Sequence, residues 1–416
     1  MPSTLTFFFL LALACFLLTQ SLLKWRHIRH IQAHRAQVPA EFSHRISLAS
    51  HQKAADYTVD RSRLALVGQL SESVLLLVLT LGGGLALLHD FWATHSSGLS
   101  YGLALILSVL GLSALVDLPL TLYKQFVIEA RYGFNRMRLG LFFSDLARST
   151  ALGLLIGAPL ILVVLWLMER MGDDWWLTTW IFWCSFNLLL LFIYPTWIAP
   201  LFNKFTPLAE GEMKTRIEDL LQRCGFNAAG LFVMDGSKRS GHGNAYFTGF
   251  GRNKRIVFFD TLLERLSPGE IEAVLAHELG HFRKHHVLQR LLLSFAGSLL
   301  LLWLLGQLMH YPTFYNALGV PTQSTALALI LFFLVIPLFL FPLGPLSSRW
   351  SRRHEFEADA YAAEHASASD LVRALVKLYD DNAATLTPDP LHSLFYDSHP
   401  PAAQRIAHLQ RLENAA

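Results

Sequence analysis

The sequence predicts a predominantly α-helical protein with seven membrane spans and an α+β metalloprotease domain outside the bilayer. Three observations carry that expectation. Hydrophobic residues make up 53% of the 416 residues and charged residues only 16%, against about 25% charged in an average soluble domain. Seven apolar stretches, about 5–23, 65–88, 101–122, 150–168, 177–199, 289–309 and 325–346, each approach the ~20 residues that cross hydrocarbon as a helix. Between the fifth and sixth lies a long segment, 200–290, that ends in "AVLAHELGHFRKHH". One apolar stretch alone would fit a buried core helix of a soluble protein, but seven do not.

The first stretch is preceded by "MPST", with no Lys or Arg, and followed by "KWRHIRH". That is the reverse of a secretory signal's polarity, so it reads as a retained anchor. Lys and Arg number 8 in 24–63, 5 in 121–150, 13 in 200–290 and 7 in 347–416, which is 33 of the 34 in the chain. The opposite set of loops holds only Arg170. By the positive-inside rule the N-terminus is expected outside and the C-terminus and all four basic segments in the cytoplasm; if the host is bacterial, the membrane is the inner or plasma membrane. The basic run "KWRHIRHIQAHR" could also meet anionic lipid headgroups, but a topology determinant is the simpler reading. Nucleic acid is not expected as a partner, because the charge excess follows topology and no reading motif is present. Cys15, Cys184 and Cys224 have no paired spacing, which excludes a disulfide framework or a thiolate zinc site.

Two domains are expected: residues 1–199 with five spans, and residues 200–416 with the chemistry and spans six (289–309) and seven (325–346). Within 200–290, "AEGEMKTRIEDLLQRCGF" reads as an amphipathic helix with Leu220, Leu221 and Cys224 on one side. "GLFVMD" and "KRIVFFDTLL" read as short strands, with a further strand-like centre at 244–248. Ser267 then stands as a helix N-cap with Pro268 in the first turn.

In that last helix His277 and His281 are four apart, so both side chains lie on one face with Cβ atoms about 5–6 Å apart. With Glu278 this is H-E-x-x-H, two zinc ligands and a general base. A third ligand is required. "HEFEADAYA" offers Glu355, with Asp359 to accept the outer N–H of a ligating histidine. On its own that carboxylate pair reads equally as a solvated face, since Glu357 and Glu364 are nearby. Height favours the ligand: His281 lies about eight residues before span six and Glu355 about nine after span seven. Both then stand roughly 12–14 Å outside the membrane if the helices continue unbroken. The longer H-E-x-x-H-x-x-G-x-x-H pattern fails at Lys284 and Val287. His285 continues the series from His281 and is expected to be solvated or to support a ligand. Gly280, costly inside a helix, is explained either by close packing or by tolerance.

"EARYGFNRM", "DGSKRSGHGNAYFTGFGRNKRIVFFDTLL", "AVLAHELGH", "HEFEADAYA" and "SHPPAAQRI" together resemble the type I CAAX prenyl endopeptidases, integral-membrane zinc proteases. The resemblance runs over nearly the whole chain, with Gly243 as a departure where Ser is expected. It implies a seven-span helical barrel around a large water-filled chamber, with the metal site facing inward near the cytoplasmic side. It implies His277, His281 and Glu355 as zinc ligands, Glu278 as base, and cleavage of C-terminal prenylated or similar membrane-associated substrates. It also places His399 and Arg405 beside the zinc, where both can donate to an oxyanion. Their residues alone would read otherwise, with Pro400 and Pro401 opening a helix, His399 capping or packing at its N-terminus, and Arg405 solvated or in a salt bridge. His399 could instead hold the fourth zinc position at rest. Asn244, Ala245 and Tyr246 would pair with the peptide as an added strand. Glu72 and Asp117, inside spans, are expected to face an interior or water cavity.

The expected function is thus a zinc-dependent membrane endopeptidase of the CAAX type, with peptide substrates and membrane lipids as partners. A quality-control protease without prenyl selectivity is the alternative within the class. A zinc transporter would want its ligands near the bilayer midplane, and these lie outside the spans.

Overall fold

The computed structural model describes residues 3–226, 230–248 and 255–414. Seven helices are long and apolar enough to cross a membrane: Thr4–His34, Leu48–Leu79, Gly98–Arg131, Leu139–Arg170, Gly172–Leu201, His286–Leu308 and Thr325–His365. Most overrun the apolar stretches because their polar ends continue as helix beyond the hydrocarbon. The second does not extend to residue 88 as expected. It stops at Leu79, Gly83 takes φ +79°, and a separate helix runs over Gly84–His95. Three consecutive glycines (82–84) let the chain turn where hydropathy alone read on.

The spans do not close on one another. Two adjoining cavities of about 500 Å³ each lie between them. One is walled by apolar residues such as Val109, Val164, Trp183 and Leu301; the other includes Glu72, Asp117, Ser71 and Ser73. Ser113, Phe333 and Leu334 line both, so they form one chamber. Glu72 and Asp117 therefore face the interior, where water can solvate them.

Outside the spans sits a four-stranded sheet in the order β1-β2-β4-β3: β1 Phe205–Pro207, β2 Gly230–Met234, β3 Ala245–Thr248 and β4 Arg255–Phe259. β2 and β4 are parallel, and β1 and β3 flank them antiparallel. β1 is an addition to the expected elements; three residues ending in proline give no strand signal. The helix Glu212–Arg223 buries Ile217, Leu220 and Leu221. They join Ile256 and Phe258 of β4, Ile271, Leu275 and Leu279 of the next helix, and Leu371, Leu375, Ile406 and Leu409 from the C-terminal segment. This one core fixes the sheet, the H-E-x-x-H helix and the chain's last helices as a block.

Candidate active site

The H-E-x-x-H helix runs over Pro268–Arg283. Ser267 and Glu270 form a reciprocal capping box, the Ser267 N–H donating to Glu270 Oε2 at 2.7 Å, and Pro268 occupies the first turn. Lys377 Nζ also donates to Glu270 Oε2 at 2.7 Å, tying the helix start to Ala368–Asp381.

The helix packs against Gly344–His365, which carries "HEFEAD". A Cβ on Gly280 would stand 2.9 Å from Ala358 Cα and 3.1 Å from Ala358 O. Only glycine lets the two backbones approach this closely, so packing rather than tolerance explains it. The approach brings His277, His281 and Glu355 together, one donor atom from each lying within 4.8 Å of the others. His277 Nε2 is 3.5 Å from Glu355 Oε2, and His281 Nε2 is 3.4 Å from Glu355 Oε1. Glu355 is 2% exposed, and its Oε2 is buried without a hydrogen-bond partner. A buried anionic oxygen costs several kcal/mol unless something cationic meets it. Two imidazole nitrogens and a carboxylate converging on one point form a donor set that suits zinc.

His277 Nδ1 lies 2.9 Å from Asp359 Oδ1, the expected carboxylate–histidine contact. Asp359 in turn accepts from Arg405, whose Nε donates to Oδ2 at 2.9 Å and whose Nη2 donates to Oδ1. Arg405 Nη1 reaches to 3.8 Å from Glu355 Oε2. Burial and the Arg405 guanidinium push His277 down, but Asp359 and Glu355 outweigh them and raise its pKa to about 8. Burial pushes Arg405 down, and the Asp359 carboxylate more than restores it, so it stays charged. Arg405 is on the helix Ala402–Glu413, which opens after Pro400 and Pro401.

His399 stands on the open side of the cluster. Its side chain is 62% exposed and its Nε2 lies 3.5 Å from Glu355 Oε1. Surrounding protein and then Arg405, His277 and His281 lower its pKa, against Glu355, which raises it. Glu278 is half-buried on the same helix, next to His277.

Asn244, Ala245 and Tyr246 lie at the free edge of the sheet, since β3 is its last strand. Phe259 N–H donates to Asn244 O at 2.9 Å. By antiparallel alternation the Ala245 main-chain groups then point away from β4, and the Ala245 N–H is capped by Asn244 Oδ1 at 2.8 Å. Phe247 of β3 packs on Phe282, the residue after His281, with ring centroids 5.4 Å apart. The free edge is thereby held beside the H-E-x-x-H helix.

Two expectations are corrected. The H-E-x-x-H helix does not run unbroken into span six: it ends at Arg283, His285 takes φ +58°, and a new helix starts at His286. His285 is exposed and off the series. On the other side the helix Thr325–Leu340 passes through a tight turn of helix, Phe341–Leu343, before Gly344–His365. The condition of unbroken helices therefore fails on the His285 side, although His277, His281 and Glu355 do meet. His286, an alternative third ligand should Glu355 not serve, is fully buried against His281 and meets Glu357 through its other ring nitrogen.

Residues 27–204 match the family described as "CAAX prenyl protease N-terminal, five membrane helices", and residues 207–413 match "Peptidase family M48". The chain belongs to the CAAX prenyl protease family. CAAX prenyl protease 1 of Saccharomyces cerevisiae is 39% identical over 72% of this chain and 69% of its own length. The human CAAX prenyl protease 1 homolog is 33% identical over 92% and 91%. A crystal structure of S. mikatae Ste24p superposes with a TM-score of 0.90 at 30% identity, covering 98% of this chain and 100% of that one. As a member of this family the chain is an integral-membrane metalloendopeptidase acting on peptide or protein substrates. The seven-span barrel with its chamber and small extramembrane sheet is the family fold.

Proposed function

We propose that this protein is a zinc endopeptidase that removes C-terminal residues from prenylated membrane-associated proteins, with its site on the cytoplasmic side. One observation carries the metal assignment: Glu355, whose buried Oε2 makes no hydrogen bond, meets His277 at Oε2 and His281 at Oε1 beside Glu278. His277, His281 and Glu355 would hold zinc, which when bound supplies Lewis acidity to the scissile carbonyl and to the attacking water. Glu278 accepts a proton from that water and returns it to the leaving nitrogen as the C–N bond breaks. Asp359 fixes the His277 tautomer, and Arg405 holds Asp359 in place while turning Nη1 toward the ligand set. His399, exposed on the open side, donates to the developing oxyanion. The substrate lies as a strand along β3, its main chain replacing the Asn244 side chain at the Ala245 N–H. Acyl chains of membrane lipids cover the outer faces of the spans. The names of the relatives and the apolar chamber support the prenylated substrate class.

The decisive experiment is cleavage of matched farnesylated and unfarnesylated C-terminal peptides by the purified protein, with and without chelator. Cleavage of the farnesylated peptide alone, abolished by chelator, is expected. Equal cleavage of both would favour a quality-control protease, and chelator-insensitive cleavage would remove the metal from the reaction. The strand model expects Ala245→Pro, which removes that N–H, to raise KM with zinc content unchanged. Unaltered KM would dismiss it. The orientation expects a cysteine at Ser97 to label from outside the cell and one at Ser240 not to; the reverse pattern overturns it.

A further inference from the structure

We propose that His286 and Glu357 are positioning residues for the second ligand histidine, serving His281 as Asp359 serves His277. The proposal rests on His281 being a zinc ligand, as above. His281 turns Nε2 toward Glu355, at 3.4 Å, and its Nδ1 is 2.9 Å from His286 Nδ1. Two ring nitrogens at that separation share one proton between them: one donates and the other accepts. A ligating Nε2 must present a lone pair, so the hydrogen of His281 sits on Nδ1. His286 Nδ1 is then the acceptor, and the hydrogen of His286 sits on Nε2. That nitrogen is 3.0 Å from Glu357 Oε2, an anionic acceptor. The tautomers of both rings follow from one requirement, and the chain ends on a carboxylate.

The surroundings fix the ring of His286 in this pose. It is fully buried and stacks on His354, with centroids 3.9 Å apart and planes 7° from parallel. His354 is itself 1% exposed and meets the Trp350 ring at 4.5 Å. Arg353 Nε donates to Glu357 Oε1 at 2.9 Å, which turns Oε2 inward. The helix break at His285 has a use here. A continuous helix would carry residue 286 about 500° round the axis from 281, close to 140° from its face. With His285 at φ +58° the chain doubles back, and His286 reaches His281 instead.

Outer carboxylates of this kind typically contribute 10–100-fold in metal affinity. The experiment is chelator competition for Zn²⁺ on the purified full-length protein, with Tm recorded for each variant and the visible spectrum of the Co²⁺-substituted form. His286→Leu, which fills the space without an acceptor, is expected to weaken Zn²⁺ binding about 10–100-fold and to alter the Co²⁺ spectrum. His286→Asn puts Oδ1 where Nδ1 stood and is expected to recover most of that loss, which a merely structural role would not. Glu357→Leu, on the solvent side of the relay, is expected to weaken binding with Tm unchanged; Glu357→Gln, still an acceptor, weakens it less. Wild-type affinity in both His286→Leu and Glu357→Leu would overturn the proposal, as would His286→Asn binding no better than His286→Leu. If His281→Ala binds Zn²⁺ as tightly as wild type, the ligand assignment itself has failed. If His281→Ala loses zinc while His286→Leu and Glu357→Leu keep it, only the relay has failed.

Discussion

The membrane half and the extramembrane half of this chain use their apolar residues differently. In the most hydrophobic windows of the first six spans only 6–22% of residues are buried within the protein, against 50% in the seventh. In the extramembrane half the apolar residues of Glu212–Arg223, Asp260–Leu263, Pro268–Arg283, Gly344–His365, Ala368–Asp381 and Ala402–Glu413 converge with those of β2 and β4 in a single core. Lipid is as apolar as leucine, so nothing drives spans to close on each other except packing itself. A chamber between them costs little. Water does drive the extramembrane helices together, and His277, His281 and Glu355 meet across one such close approach, at Gly280 against Ala358. An open barrel and a tight metal cluster coexist because they lie in different solvents.

The sharpest break of that comparison is at the cluster. Glu355→Ala is expected to lose both zinc and cleavage, because a ligand and the only anion of the set go together. Glu278→Gln should lower kcat about 10²–10⁴-fold with zinc near one per chain. Metal analysis and kcat on the same preparations check both; a fully zinc-loaded Glu355→Ala would move the third ligand elsewhere.

His399 and Arg405 test burial next. Each alanine variant is expected to lose about 10²–10³ in kcat with zinc retained. Only Arg405→Ala should also lose stability, by roughly 3–5 kcal/mol, since it strands the buried Asp359 carboxylate. His399, largely exposed, should leave Tm alone. Equal Tm for the two would show that the Arg405–Asp359 pair does not brace the fold.

Glycine substitutions compare the halves directly. Gly280→Ala is expected to lower stability by about 1–3 kcal/mol through overlap with Ala358 and to weaken zinc binding. Gly157→Ala in the fourth span, where an added Cβ meets nothing within 4 Å, should leave Tm unchanged or raise it. The same sign at both positions would erase the distinction.

Much of this was legible in the sequence for physical reasons. Hydropathy finds spans because every backbone polar group in lipid must be satisfied by a helix. The i, i+4 spacing of His277 and His281 and the Ser267–Glu270 box are local and therefore readable. The break at Lys284 and His285 is not, because neither is glycine or proline and the positive φ is imposed by what His286 must reach. The approach of Glu357 to His286 spans 71 residues, and no local period marks it. For Arg405 the residues alone left solvation and a salt bridge open, and the structure pairs it with Asp359, with Nη1 3.8 Å from Glu355.

The smallest expected effect concerns the start of the H-E-x-x-H helix. Glu270 is 2% exposed. Burial raises its pKa, but Lys377 and the Ser267 amide and hydroxyl outweigh that and hold it below the usual carboxylate range. A carboxylate depressed on folding stabilises the fold above its unfolded pKa, and that stability is lost as pH falls through the folded value. Glu270→Gln should therefore cost about 0.5–2 kcal/mol at pH 7, with the gap to wild type closing on acidification. A gap that widens in acid would refute the capping role.

The H-E-x-x-H helix joins its span through a joint at His285, where φ is +58°. A span answers a thicker or thinner bilayer by changing tilt, at a fraction of a kcal/mol per Å. Across a rigid helix that tilt would swing the ligands by several ångströms over ~12 Å of lever. Across a joint it is absorbed before it reaches them. The orientation of His277 and His281 is thus separated from the tilt of span six by one residue of positive φ, His285.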